Sequence, residues 1–276
     1  MRARAPATEF EGDGIRTVVE SASPALAGRN EWREIALCGR GGTAEVWHAV
    51  TPDGREVALK RLRPELRPLA PMRDLLRREY ALLQRVSSPH LVTPFELVEG
   101  DKGPELVLEL LPNGDLVSLL GAPPRHWLPA LRHVIGALND LHRHGTAHGD
   151  VKARNVLFAV DQSARLTDLT SASAVDAPAA RATAAYGVPP GLETTAGAAD
   201  CYALGVLLYE LTTGRLPYGP DGPTRGSELC AAKRPGGPAA AQLLAAATAM
   251  IGTGGPPPEG LSYLADVIES VSALNT

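Results

Sequence analysis

One short segment in the middle of the chain concentrates side chains that can do chemistry. Residues 148–155 read His-Gly-Asp-Val-Lys-Ala-Arg-Asn, which brings a carboxylate, an ammonium group and an amide close together. Asp168 follows further along the chain, directly after a short predicted strand. Carboxylate and amide oxygens are ligands that Mg²⁺ prefers, so Asn155 and Asp168 could coordinate this ion. The structural alternative is that Asp168 is an ordinary turn former.

A glycine-rich segment lies near the start of the predicted folded region. Residues 39–46 read Gly-Arg-Gly-Gly-Thr-Ala-Glu-Val and lie between two predicted strands. Glycines permit tight turns and allow backbone N–H groups to approach phosphate oxygens closely. A strand follows this segment, whereas a dinucleotide-binding fingerprint would continue into a helix. A phosphate-binding loop and an ordinary hairpin are both compatible with the pattern.

Lysine is rare in this chain, which makes the position of each lysine informative. Of the 27 basic residues only four are lysine, at positions 60, 102, 152 and 233. Lys60 lies near the end of a predicted strand, and Glu79 lies on the predicted helix that follows. A lysine held by a helix carboxylate can present a fixed ammonium group to phosphate oxygens. A solvated edge lysine and an exposed helix acid are the structural alternatives.

The elements that must position these residues form two groups. Alternation and β-propensity predict five strands, over 33–40, 44–50, 55–62, 91–98 and 105–110. Apolar residues at helical spacing predict helices, over 69–86, 127–144, 200–213, 239–251 and 261–274. Five strands with one helix, followed by a helical half, predict an α+β fold with two lobes. We expect a flexible leader (1–30), a small lobe (31–111) and a large lobe (112–276), the two lobes forming one domain of about 31–276.

Composition excludes several classes of protein. The net charge of −4 gives no electrostatic footprint for nucleic acid or an anionic membrane. Three widely spaced cysteines (38, 201 and 230) exclude a disulfide framework and a CxxC zinc site, and they fit a reducing cytoplasm. No apolar stretch reaches the roughly 18 residues that a membrane helix needs. We therefore expect a cytoplasmic protein without membrane insertion or a nucleic-acid partner.

The glycine-rich segment, Lys60, Glu79, the 148–155 segment and Asp168 together resemble the eukaryotic-like (Hanks-type) protein kinases in their bacterial soluble form. The motifs match in type, order and spacing, and the resemblance covers about residues 33–274. It implies the bilobal kinase fold, with a small lobe of five antiparallel strands and one helix and a larger, mainly helical lobe. It also implies ATP and Mg²⁺ as cofactors.

The resemblance implies a role for each candidate residue. Asp150 would orient the attacking hydroxyl and accept its proton, and Lys152 would stabilise the transferring phosphoryl group. Lys60 would contact the α- and β-phosphates while it pairs with Glu79. The implied metal ligands are Asn155 and Asp168.

A nucleotide pocket is implied as well. Its members would be Gly39, Gly41, Val46, Ala58, Lys60, Glu109, Leu111, Asp115 and Leu157. The apolar members would enclose adenine, although ordinary core packing explains them equally well. Backbone groups of Glu109 and Leu111 would meet the purine edge, Asp115 would reach the ribose, and Leu108 would guard the back of the pocket.

Several positions depart from the family pattern. Gly149 replaces an Arg that normally grips a phosphate on the activation segment, so we expect activity without such phosphorylation. Thr170 replaces a glycine in the metal motif and is expected to restrict the backbone there. Pro190 replaces a Glu whose usual Arg partner is also missing, which avoids an unpaired buried charge.

The leading interpretation is a Mg²⁺/ATP-dependent phosphotransferase acting on Ser or Thr of a protein or peptide. Lys152 and Thr183 favour Ser/Thr acceptors, whereas Arg154 is a feature of tyrosine kinases. Thr170 and Pro190 motivate a second hypothesis, a pseudokinase that regulates a partner without transferring phosphate. A third is a kinase-like enzyme with a dedicated acceptor, either a biosynthetic peptide or a small molecule. Metal-dependent ATP turnover separates the first two.

Overall fold

The first half of the described chain is a sheet with one long helix. The computed structural model describes residues 32–100, 103–180, 183–224, 227–230, 237–252 and 260–273, so the leader predicted over 1–30 lies outside the described residues. The strands of this sheet are β1 (Arg33–Arg40), β2 (Ala44–Val50), β3 (Glu56–Leu62), β4 (Pro94–Gly100) and β5 (Gly103–Glu109). Their spatial order is β1-β2-β3-β5-β4, and every neighbouring pair is antiparallel.

Strand β3 is central in this sheet, and its side chains alternate between two faces. Val57 and Leu59 lie with Val107 in a small apolar cluster on one face. Ala58 lies in the main core on the other face. Lys60 shares the face of Ala58 because it lies two residues further along the strand. The strand period therefore directs the Lys60 side chain toward the rest of the molecule.

The helix α1 (Ala70–Val86) packs one face against this sheet. Its buried residues are Leu76, Glu79, Leu83 and Val86, which recur at helical spacing. Glu79 therefore lies on the buried face. The helix ends at Ser87, whose positive φ of 45° and N–H bond to the Leu83 carbonyl form a left-handed cap.

The second half is mainly helical. Its helices are α2 (Pro124–Arg143), α3 (Ala196–Thr213), α4 (Pro238–Met250) and α5 (Gly260–Ala273). Short strands form two small antiparallel pairs, β6 (Thr146–Ala147) with β9 (Ser173–Ala174) and β7 (Val156–Phe158) with β8 (Ala164–Leu166). Helix α3 is buried on almost every side, as expected of a helix that is apolar all round.

The predicted α+β class and the five-stranded antiparallel sheet are confirmed, and residues 31–276 form one compact unit. Helix α2 begins at Pro124 rather than at 127, because proline is favourable in the first turn. Helix α3 begins at Ala196 rather than at 200, because the Thr195 side chain caps it by accepting from the Ala198 N–H. The lobe boundary at 111/112 stays a prediction. Among the described helices, none is long and apolar enough to cross a membrane.

Candidate active site

A buried ion network joins β3, α1 and the turn after β8. Lys60 Nζ lies 2.8 and 2.7 Å from the two carboxylate oxygens of Glu79 and 2.8 Å from Asp168 Oδ1. Lys60 and Glu79 are 5% and 1% exposed. Burial lowers the pKa of Lys60, but the charges of Glu79 and Asp168 outweigh this effect and leave the pKa above its ordinary value. The network therefore holds a charged ammonium group in a fixed position.

Asp168 opens a short 3₁₀ turn, and we call residues 168–171 the DLT turn. The backbone of Asp168 is left-handed, with φ 65°, a conformation that aspartate tolerates better than most residues. Its side chain is 40% exposed. Burial raises the pKa of Asp168, but Lys60 and the Thr170 hydroxyl outweigh burial and hold the pKa well below its usual range. The backbone N–H of Leu169 donates to Glu79 Oε1 at 3.1 Å, which ties the turn to α1.

Three neighbouring side chains hold Asp150. Two of them belong to residues 148–155, which we call the HGD segment, and the third is Thr183. Lys152 Nζ lies 2.6 Å from Asp150 Oδ2, and the Thr183 hydroxyl donates to Asp150 Oδ1 at 2.7 Å. Asn155 Nδ2 donates to the Asp150 carbonyl at 2.8 Å. Burial raises the pKa of Asp150, but the bonds from Lys152 and Thr183 outweigh it, so the net shift is downward. Asp150 is therefore ionised at neutral pH.

Helix α3 anchors the backbone of the HGD segment through hydrogen bonds. Asp200, which is 1% exposed, accepts from the N–H groups of His148 and Gly149 at 2.7 and 2.8 Å. His142 Nε2 lies 2.9 Å from the same carboxylate. One buried carboxylate on α3 thus fixes the two residues that precede Asp150.

The donor set fits a divalent cation that is held together with phosphate oxygens. The Asn155 amide uses Nδ2 toward Asp150, which leaves its Oδ1 as an acceptor. Asp168 Oδ2 accepts no hydrogen bond from any described residue. The described residues, this site included, contain no cluster of three or more His, Cys, Asp or Glu side chains that could hold a metal ion alone. Mg²⁺ is commonly held by one or two carboxylates plus substrate phosphates, so these two residues match its chemistry.

Comparison with known proteins identifies the family. The family model described as "Protein kinase domain" matches residues 32–233. The chain belongs to the protein kinase family. The predicted membership is thereby confirmed.

Several serine/threonine kinases and one CBL-interacting kinase are similar to this chain. It is 36% identical over 200 residues to CBL-interacting protein kinase 4 of Oryza sativa subsp. japonica, 33% over 210 residues to serine/threonine-protein kinase pkn2 of Myxococcus xanthus, and 32% over 194 residues to serine/threonine-protein kinase PknL of Mycobacterium tuberculosis. These matches cover 66%, 70% and 66% of this chain but only 44%, 25% and 49% of the relatives. The chain therefore spans about half or less of the length of these curated relatives.

The apolar residues predicted around adenine are buried or half-buried, and most of them belong to the main core or pack against it. Ala58 and Leu108 are buried in the main core, and Val46 is half-buried against it. Leu157, on β7, is also half-buried. The N–H and C=O of Leu111 are not hydrogen-bonded to any described residue, so both are available to a purine edge.

Glu109 is anchored by its side chain as well as by its backbone. Its N–H donates to the Thr93 carbonyl at 3.0 Å, and its carboxylate accepts from the Thr93 N–H at 2.8 Å. Arg165 Nε lies 3.5 Å from the same carboxylate. The sequence offered no signal for these contacts, because Thr93 and Arg165 are remote from Glu109 along the chain.

The structure does not join the remaining predicted residues to the ion network. Gly39 and Gly41 lie in the β1–β2 hairpin, where Gly41 donates to the Ala44 carbonyl at 2.8 Å, and neither has a positive φ. Their φ values therefore do not require glycine in this conformation. Asp115 accepts from the Val117 N–H at 3.2 Å and so caps a 3₁₀ turn. Roles of these residues toward phosphates and ribose stay predictions.

Two contacts near the site were not predicted from the sequence. The Tyr186 hydroxyl donates to Glu210, a buried residue of α3. A charged residue within the apolar run of α3 is a signal that could have indicated a specific partner for Glu210. The Thr170 hydroxyl donates to Asp168 Oδ1, and nothing in the spacing of the motif indicated this bond.

Proposed function

We propose that this chain is a Mg²⁺/ATP-dependent protein serine/threonine kinase, which transfers the γ-phosphoryl group of ATP to a Ser or Thr hydroxyl of a protein or peptide. The observation that carries this proposal is the bond of Lys60 to both Glu79 and Asp168. These bonds form only when the sheet, α1 and the DLT turn are correctly positioned relative to one another. A kinase needs its Lys–Glu pair and its metal-binding Asp in place together.

On the nucleotide side, this chain supplies fixed charge. When bound, ATP provides the phosphoryl group, and Mg²⁺ neutralises the negative charge on its phosphates. With ATP bound, Lys60 would offer the phosphate oxygens an ammonium group that Glu79 keeps charged and fixed in position. Asn155 and Asp168 would hold the metal through their free oxygens. Such preorganised charges need no reorganisation during the reaction, which is how they lower its barrier.

On the acceptor side, Asp150 orients the hydroxyl group. Its lowered pKa makes it a weak base, so it contributes by alignment and accepts the proton at its carboxylate as the hydroxyl attacks. Lys152, 2.6 Å from Asp150, places a second cation where the transferring group passes. In this structure the Thr183 hydroxyl donates to Asp150 Oδ1, which is the kind of bond that an acceptor hydroxyl would make.

The choice of Ser or Thr as acceptor rests on two observations. Lys152 bonds both Asp150 and Thr183, with 2.9 Å from its Nζ to the Thr183 hydroxyl. Two of the similar proteins are named serine/threonine-protein kinases. Arg154 is exposed and forms no ion pair with a described residue, so nothing in the structure gives it a role toward tyrosine acceptors.

The proposal includes a cytoplasmic location and no nucleic-acid partner. The three cysteines are unpaired, which supports a reducing compartment. The net charge of −4 supports a protein partner rather than a nucleic acid. The division into a leader over 1–30, a small lobe over 31–111 and a large lobe over 112–276 is proposed as well.

Transfer of label from ATP tests the proposal. The purified protein is incubated with γ-labelled ATP, Mg²⁺ and a lysate of its native host, alongside Asp150→Asn with an equal melting temperature. We expect labelled protein bands with the wild type alone, and phosphoserine or phosphothreonine after acid hydrolysis. Phosphotyrosine or a labelled small molecule would contradict the acceptor class. Equal labelling by both proteins would contradict catalysis and favour the pseudokinase hypothesis.

A further inference from the structure

Thr170 occupies a position where the resemblance predicts glycine, yet its backbone does not need glycine. Among the described non-glycine residues, positive φ values occur at Ser87, Gln162 and Asp168. Thr170 therefore has an ordinary φ, and the replacement of glycine by threonine causes no φ strain in this conformation. The threonine side chain is free to take a role that glycine cannot fill.

The Thr170 hydroxyl makes a specific bond to the predicted metal ligand. Its Oγ1 donates to Asp168 Oδ1 at 2.7 Å, and Lys60 Nζ donates to the same oxygen at 2.8 Å. Asp168 Oδ2 receives no bond from any other part of the described chain. Two donors on one carboxylate oxygen fix the orientation of the carboxylate and also stabilise its charged form. The two carboxylate oxygens of Asp168 therefore differ in hydrogen bonding before any ligand binds: Oδ1 accepts two bonds from described residues and Oδ2 accepts none.

The bond also completes the attachment of the DLT turn. Lys60 holds the side chain of Asp168, and Glu79 accepts from the Leu169 N–H at 3.1 Å. Leu169 itself is buried in the main core. The Thr170 bond adds a link inside the turn, from residue 170 back to the side chain of 168. Without it, the Asp168 carboxylate regains rotational freedom that metal binding would then have to remove.

We propose that Thr170 is a positioning residue of the metal site: its hydroxyl holds Asp168 Oδ1 so that Oδ2 alone is presented to the divalent cation. The inference rests on the proposed function, because the cation arrives with ATP. Asn155 Oδ1 is the second oxygen of the same site. The residue that departs from the family pattern thus supports metal binding in this chain rather than weakening it.

Nucleotide titration with and without Mg²⁺ tests this role without measuring activity. A non-hydrolysable ATP analogue is titrated calorimetrically into the wild type, Thr170→Val and Thr170→Ser, in Mg²⁺ and in EDTA. We expect the tightening of nucleotide binding caused by Mg²⁺ to fall about three- to tenfold in Thr170→Val, the loss typical of the net contribution of one hydrogen bond. Thr170→Ser keeps the hydroxyl, so its ratio of nucleotide affinity in Mg²⁺ to that in EDTA should equal the wild-type ratio. Affinities in EDTA stay equal.

Two further variants make the test decisive. Ser171→Ala removes an exposed hydroxyl from the same turn and is expected to behave as the wild type. Thr170→Gly is a second variant without the hydroxyl, and melting curves establish which proteins are folded. Wild-type ratios in Thr170→Val and Thr170→Gly would overturn the inference, as would an equal loss in Thr170→Ser. A wild type without any Mg²⁺ effect would instead contradict the proposed function itself.

Discussion

At the scale of single residues, Gly149 shows how one backbone position constrains the segment that carries Asp150. Its φ is +82°, and a Cβ added there would overlap the carbonyl oxygen of Ser171. Gly145, a few residues earlier, has a similar φ of +69° but open space around the added atom. The two glycines therefore separate the effect of backbone conformation from the effect of crowding.

Alanine at these two positions should have unequal effects. We expect Gly145→Ala to lower the free energy of unfolding by about 1 kcal/mol, the strain of a left-handed alanine. Gly149→Ala should cost roughly 2 kcal/mol more, because the Ser171 backbone must also move. Urea unfolding of both variants measures the difference. Equal losses would show that Ser171 does not crowd position 149.

Residue spacing predicted part of the site and missed the rest. Lys60 and Glu79 could be selected because a rare lysine and a helix acid both carry a signal along the chain, and the structure pairs them. The Thr170 bond could not be predicted, because it depends on the φ of Asp168 and on the direction of its carboxylate. The sequence indicated which chemical groups are present but not how each oxygen is used.

At the scale of elements, α3 supports the site through two buried carboxylates. Asp200, near its start, holds the backbone of the HGD segment. Glu210, near its end, accepts from the Tyr186 hydroxyl. Burial raises the pKa of Glu210, although the Tyr186 bond and Arg154 oppose this shift. One helix thus connects the loop that carries Asp150 to the segment that carries Tyr186.

The raised pKa of Glu210 gives a pH-dependent prediction. Because the folded state binds this proton more tightly than the unfolded state, the contribution of Glu210 to stability falls as pH rises from about 4.5 through the folded pKa. Glu210→Gln has no such titration and can still accept from Tyr186. We therefore expect the stability of Glu210→Gln relative to wild type to be greater at pH 8 than at pH 5.

Denaturant unfolding at several pH values measures this difference. Glu193→Gln, which removes an exposed carboxylate, is the control for loss of surface charge. A difference between Glu210→Gln and wild type that is constant with pH, or that grows toward acid, would contradict the raised pKa.

Element positions were largely predictable, and element ends were not. Alternation and helical spacing placed the five strands of the sheet and all of α1 to within a few residues. Strand β4 begins at Pro94 rather than at 91, because Leu91 instead forms an isolated bridge with Leu166. The order β1-β2-β3-β5-β4 depends on contacts across the sheet, which a single strand's pattern does not encode.

At the scale of the whole molecule, the site depends on elements that are far apart in sequence. Lys60 comes from the sheet, Glu79 from α1, and Asp168 and Asp150 from turns of the second half. The main core is continuous across these elements, with Ala58, Leu83 and Leu169 in the same cluster. The elements that carry the charged groups therefore pack on one common hydrophobic core. The geometry of these groups follows from the whole fold rather than from any one segment.

In the proposed mechanism Asp168 acts on the metal, whereas Asp150 acts on the acceptor hydroxyl. Calorimetric titration of a non-hydrolysable ATP analogue, in Mg²⁺ and in EDTA, tests this division directly in wild type, Asp168→Asn and Asp150→Asn. We predict that Asp168→Asn loses most of the tightening caused by Mg²⁺. Asp150→Asn should retain that tightening while transferring no phosphate. Full tightening by Mg²⁺ in Asp168→Asn, or an equal loss of it in both variants, would contradict this division of roles.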